Sequence, residues 1–203
     1  MRKKLSALVA LFVAAGVLLP TAAFAATNTS LSQVINPGTL TIDIVDGSGV
    51  SVVSPAVAFP TTTFSFSCQT QTATFGTASQ KVKVSNPVLS GVKVDINAQT
   101  PASDNWTNGS ETYSYKDAAG SGCTNGQMSI SGGTFTQTAG ANAPTHTLPG
   151  GAFSSTSPVT LMNNTSTTAW EGELTGYTLS QKIPAEQADG SYSLTMVVSA
   201  IAQ

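Results

Sequence analysis

Apolar and polar side chains alternate with a period of two along much of the chain, and no stretch shows a helical period. Leu40, Ile42 and Ile44 alternate with Thr41 and Asp43. The Asp46-Gly47-Ser48-Gly49 run reads as a turn, because Asp and Gly accommodate tight reversals. Val50, Val52 and Val53 open a second strand, which Pro55 and Pro60 confine to a sheet edge. Phe64, Phe66 and Cys68 alternate with Ser65 and Ser67, a spacing that points Cys68 inward beside the two rings. Thr72 to Phe75 is another extended piece. Lys81 to Val84 alternates strictly, Asn86-Pro87 to Gly91 turns the chain, and Val92, Val94 and Ile96 resume the pattern. These two runs predict a hairpin with charged outer faces, whose lysines would oppose edge-to-edge pairing.

Between about Thr100 and Thr160 the pattern weakens, and Gly, Asn, Ser, Thr and Pro dominate. Short runs survive at Thr112–Tyr115, Gln127–Ile130 and Thr134–Thr136, while residues 137–156 read as an exposed loop. Order returns with Trp170, Gly172, Leu174, Tyr177 and Leu179. Tyr192, Leu194, Met196, Val198 and Ala200 then share one face of the last run. Its other face carries Val197 and Ile201, and that second apolar face predicts a central strand, not an edge. About ten short strands with regular turn signals predict an all-β fold, an antiparallel Greek-key-like β-sandwich with a long loop-rich middle insertion.

The first residues change the picture of the chain's extent. Arg2, Lys3 and Lys4 precede an apolar run from Leu5 to Leu19, Pro20 breaks it, and Ala23-Phe24-Ala25 supplies a small-x-small cleavage pattern. Residues 1–25 are therefore expected to be a secretory signal peptide, cut near Ala25. The run is short for a membrane span of roughly 20 residues, although an uncleaved anchor is the competing reading. Of 203 residues, 178 remain as residues 26–203, expected to form one β-sandwich domain that is secreted, extracellular or held at the cell surface. They carry five Lys, no Arg and ten acidic residues, a net charge of −5. A nucleic-acid binder needs a positive footprint, and none is present. They also hold 28 Thr and 24 Ser, which suit either a glycosylated stalk or sheets with hydroxyl-bearing outer faces. The recurrence of Val, Ile, Phe and Tyr in register favours the sheets.

Two cysteines, Cys68 and Cys123, in a chain bound for an oxidising space predict one disulfide. It would close a loop of about 55 residues, worth roughly 4 kcal/mol on the chain-entropy account.

Candidate chemistry is sparse. The single His, His146, lies between Pro144 and Pro149 in a Thr-rich loop and reads as solvated, with no nucleophile motif near it. Glu171 and Glu173 share a strand face, as paired carboxylates of a glycosidase would, but read as a solvated outer face. No catalytic residues are expected, and the chain reads as a non-enzyme. Calcium is the one cofactor the residues suggest. Asp104, Asn105 and Asp117 offer oxygen ligands without the spacing of a dedicated calcium loop, and Asn and Asp are also ordinary turn residues. Trp106, Tyr113 and Tyr115 could form an aromatic platform for a carbohydrate, with core packing as the alternative.

The run Tyr177 to Ala185, then Gly190-Ser191-Tyr192 and the closing alternating segment, resembles the last hairpin of secreted bacterial surface β-sandwich proteins, both spore coat U-like and fimbrial. Tyr177-Thr178-Leu179 is similar to the Trp-x-Leu element of WxL-type cell-surface proteins, with Tyr in place of Trp. The resemblance implies a structural or adhesive surface protein and gives no residue a binding role. It covers roughly 30 residues. The expected function is a structural or adhesive surface protein, an extracellular fibre subunit being its most specific form. A carbohydrate- or calcium-dependent binding module is the alternative. Partners would be cell-surface components or copies of the same chain. Ala26 to Ile35, with Leu31, Val34 and Ile35, precedes the first clear strand and could add to a neighbour's sheet. Otherwise it is a flexible start or a first strand of its own fold.

Overall fold

Most of the period-two runs become strands, and the computed structural model describes residues 32–36, 38–117 and 125–203. The expected signal segment 1–25, residues 26–31 of the tail and Cys123 lie outside the described residues. The chain divides into two units, Met1–Ile35 and Asn36–Gln203. In the first, residues 32–35 adopt no regular structure, and Val34 and Ile35 are 84% and 83% exposed.

Among the described residues the second unit is all-β, without a helix long and apolar enough to cross a membrane. Its strands are β1 (Thr41–Val45), β2 (Gln69–Phe75), β3 (Lys81–Asn86), β4 (Val92–Ala98), β5 (Trp106–Thr107) and β6 (Thr112–Tyr113). They continue with β7 (Gln127–Ala139), β8 (His146–Thr147), β9 (Gly151–Ala152), β10 (Val159–Asn164), β11 (Trp170–Ile183) and β12 (Met196–Ala202). One sheet runs β1-β3-β11-β7-β9, with β2 also on β11, and a second runs β12-β4-β10-β8. A small β5-β6 pair stands beside them, and the paired strands are antiparallel. The two sheets pack face to face as a β-sandwich around one core.

Alternation explains that core. Val82 and Val84 of β3, Val94 and Ile96 of β4, Leu161 of β10 and Leu174 of β11 are buried, each worth about 1.5–3 kcal/mol in burial. Tyr177 crosses between the sheets, and its hydroxyl donates to the carbonyl of Leu161 on β10 at 2.9 Å. Its ring lies over Gly133 of β7, where a side chain would run into it and where φ is +99°. β11 changes partners midway. Trp170 to Leu174 pair with β3, and Tyr177 to Ile183 pair with β2. Gly176 lies at the junction with φ +72°, and its N–H donates to Gly76 at 2.8 Å.

Several expectations need correction. β3 and β4 are not a hairpin, because each buries its valines in the same core from opposite sheets. The connection between them is an arch, held by Asn86 Nδ2 donating to the Ser90 carbonyl at 2.9 Å and turned at Leu89, whose φ is +56°. β3 is therefore interior, and its lysines pair across to β11. Val50 to Val53 form no strand. A single bridge joins Ser51 to Val45, and Val50 and Val53 are exposed. Phe64, Phe66 and Cys68 do not point inward. The chain from 54 to 68 joins no ladder, the two rings stack edge to face on the surface, and Cys68 is exposed. With no neighbouring strand, residues 64–68 have no buried side for alternation to select. The span 137–156 is largely exposed but not structureless: it carries the end of β7, then β8 and β9, and buries Phe153.

β12 is the most consequential correction. It pairs with β4 on one side and has no ladder partner on the other among the described residues, so it is an edge strand. Its second apolar face is not covered by a neighbour, and Val197 and Ile201 are about half exposed there.

Candidate functional site

The open flank of the sandwich lies along β12. Gln99 N–H donates to the Thr195 carbonyl, and Gln203 N–H donates to Gly91. Odd-numbered residues of β12 thus spend their backbone bonds on β4 and its flanks. The antiparallel alternation then turns the N–H and C=O groups of Met196, Val198 and Ala200 to the free edge. The side chains of the same residues point into the core.

Beside this edge is a cleft of about 380 Å³. Met196, Val198 and Leu194 form one wall, Ile44 and Phe75 the other, with Ile96, Met128 and Leu179 also lining it. No charged residue is among its lining. Pro55, Ala56, Val57 and Phe59 also line the cleft, with Val57 and Phe59 packed against the core.

One end of the cleft is aromatic. Trp106 and Tyr113 stack at 6.0 Å between ring centres and 14° between planes, and they are held together by the β5-β6 pairing. Phe59 meets Trp106 edge-on at 5.6 Å, and Tyr192 meets Tyr113 at 5.1 Å. The indole N–H of Trp106 donates to Gln181 Oε1 at 2.8 Å, which satisfies both that donor and a buried amide. Burial pushes the Tyr113 hydroxyl up to about 12, and the neighbouring Tyr192 adds to the rise.

The residues singled out in the sequence therefore separate. Trp106 and Tyr113 come together, with Trp106 lining the cleft. Tyr115 does not join them. Its ring is fully buried against Phe153, so it belongs to the core. Burial raises the Tyr115 hydroxyl, the nearby Asp104 charge raises it further, and a hydrogen bond with Ala98 opposes them.

Asp104, Asn105 and Asp117 lie around the 100–117 loop, where a different cation is already seated. The ammonium of Lys116 donates to the carbonyls of Pro101 at 2.7 Å, Ala102 at 2.9 Å and Asp104 at 2.8 Å. It also stands 5.4 Å from the centre of the Tyr115 ring. The Asp104 carboxylate accepts the Thr100 N–H at 2.6 Å, closing the turn that offers these carbonyls. Among the described residues no three His, Cys, Asp or Glu side chains converge.

Glu171 and Glu173 do share an outer face, each with a cross-strand partner. Glu173 pairs with Lys81 at 2.8 Å, and Glu171 accepts from Ser85 at 2.8 Å with Lys83 at 3.6 Å. His146 is not a solvated loop residue. It sits in β8, half-buried, with its ring 4.7 Å from Phe135 and Nδ1 2.9 Å from the Pro144 carbonyl. Among the described residues no cysteine is free, and Cys123 lies outside them.

The free edge of β12, the cleft beside it and Lys116 were all missed in the sequence. A signal existed for the first two: the exposed face with Val197 and Ile201, which was read as burial. No family model, curated protein or solved structure matches the chain.

Proposed function

We propose that this chain is an exported, non-enzymatic structural or adhesive surface protein whose copies join by strand addition. The observation that carries the reading is the edge of β12, without a ladder partner among the described residues, beside an uncharged apolar cleft. An exposed edge of this kind is a template for another strand, and soluble monomers normally blunt it with charge, proline or cover. β12 carries no charged residue and no proline.

The strand supplied would be residues 26–35 of a second copy. This segment is uncharged, like the cleft, and carries Leu31, Val34 and Ile35. Val34 and Ile35 are exposed, so their apolar surface is available. Ten extended residues reach about 33 Å, enough to run alongside the roughly 23 Å of a seven-residue strand. Backbone bonds to Met196, Val198 and Ala200 would provide affinity, and apolar side chains entering the cleft would provide register. A Cys68–Cys123 disulfide would tether the exposed segment after Phe66 in the oxidising space such a protein occupies.

The ligand-binding alternative draws on Trp106, but its ring is engaged by Tyr113 and Phe59 and its N–H by Gln181. Deletion of residues 26–35 from the mature chain tests the proposal. Negative-stain microscopy should find polymers with the tail and monomers without it. Equal assembly of both forms would refute strand addition through this tail.

A further inference from the structure

The cleft beside β12 is walled in part by its own chain. Val57 and Phe59 line it and pack against the core, while Ala56, Ala58 and Pro60 stay exposed. This mimics the alternation of a strand, yet the segment joins no ladder. Pro55 and Pro60 lack N–H groups at its two ends. Its side-chain tether is the Ala56 N–H bonded to Gln80 Oε1 at 2.8 Å. The adjoining stretch to Cys68 is largely exposed, with Phe64 and Phe66 on the surface, so Val57 and Phe59 are the side chains of this region that displacement would lift from the core.

We propose that residues 55–60 are an internal plug of the cleft, displaced when a strand from a second copy pairs with β12. This rests on the strand-addition reading above and adds a regulatory step to it. The plug shields apolar surface in the free chain but leaves the backbone groups of Met196, Val198 and Ala200 unpaired. An incoming strand supplies both side chains and ladder bonds, so it replaces the plug at equilibrium. Displacement sets a barrier that delays association of newly exported copies. Phe59 is the main anchor of the plug, through its edge-on contact with Trp106 at 5.6 Å.

The test uses the mature chain and a fluorescent synthetic peptide of residues 26–35. Binding is followed by anisotropy, and amide exchange is followed by mass spectrometry. In the wild-type chain, saturating peptide should slow exchange at residues 196–200 and speed it at Ala56, whose N–H leaves Gln80 when the plug is displaced. Phe59→Ala should bind the peptide about tenfold tighter, because the competing anchor is gone. Slowed exchange along β12 with no change at Ala56, and unchanged affinity in Phe59→Ala, would overturn the plug and leave strand addition standing. Weaker binding by Phe59→Ala would also overturn it, by making Phe59 part of the receiving wall. The exchange experiment on the wild-type chain decides the matter even if the variant fails to fold. No protection of β12 at any peptide concentration would bring down strand addition and the plug together.

Discussion

Lys116→Met removes one charge and keeps an unbranched side chain one atom shorter. The ammonium it deletes serves three carbonyls, at 2.7, 2.9 and 2.8 Å. A hydrogen bond to a charged group contributes about 1.5–3 kcal/mol. The three are not additive, since they share one ammonium and the Ala102 carbonyl is exposed enough to regain water. The carbonyls of Pro101 and Asp104 are partly buried and lose most. Loss of the cation over the Tyr115 ring adds about 0.5–1 kcal/mol. The expected cost is therefore about 2–4 kcal/mol, which for a chain of this size lowers Tm by about 5–15 °C. Urea unfolding followed by circular dichroism should show a lower midpoint with an unchanged m value. Lys83→Met is the control. Its ion pair with Glu171 is long and more than a third exposed on both sides, so its loss should cost under about 1 kcal/mol. Equal stability of Lys116→Met and Lys83→Met would refute the assignment of Lys116 as the resident cation of this loop.

Tyr177→Phe should cost about 1–3 kcal/mol by leaving the buried Leu161 carbonyl without its donor, measured by the same unfolding assay. Gly133→Ala should cost about 2–4 kcal/mol, since the new methyl meets the Tyr177 ring and the backbone is left-handed there; a loss below 0.5 kcal/mol would contradict that packing. Tyr113 has a folded value raised from 10.0 to about 12, so burial favours its neutral form. The stability this reflects is complete below pH 10 and declines as pH rises from 10 toward 12, which tyrosinate absorbance and unfolding midpoints at each pH should show together. Asp46 shifts the other way, because the amides of Val50 and Ser48 donate to its carboxylate and lower its value below 3.8. Its contribution is present above that pH and is lost on further acidification, seen as a wild-type advantage over Asp46→Ala in unfolding midpoint at neutral pH that shrinks as the pH falls. Added calcium should leave Tm unchanged, since Lys116 already holds the carbonyls near Asp104.

The strands were legible because alternation survives wherever one side of a segment faces the core. β1, β3, β4 and the second half of β12 are all visible as period-two runs. Their partners were not. The valines of β3 and β4 look alike whether the strands share a sheet or face each other across one, and the arch at Leu89 has no sequence mark distinct from a hairpin turn. Apolar residues on two faces of β12 suggested burial on both, although an edge strand can also leave them exposed. The segment with Phe64 and Phe66 shows the same ambiguity in reverse, for alternation without a neighbouring strand carries no burial. At the candidate site, Trp106 and Tyr113 were recognisable as aromatics in a loop-rich region, but their mutual stacking depends on the β5-β6 pairing. The nest around Lys116 was invisible because its acceptors are backbone carbonyls, which every residue has.

The partner change along β11 has a kinetic consequence. Phe75 must find Tyr177, 102 residues later, and Ala98 must find Met196, 98 residues later. Even the pairing of Thr41 with Ser85 closes 44 residues. Loop closure on this scale precedes the contacts that reward it, which places folding in the slow, millisecond-to-second class of β topologies. A chain emerging N-terminus first cannot complete the first sheet before β11 is out, nor the second before β12 is out. The wiring diagram itself thereby postpones completion of the fold until β12 is free to pair.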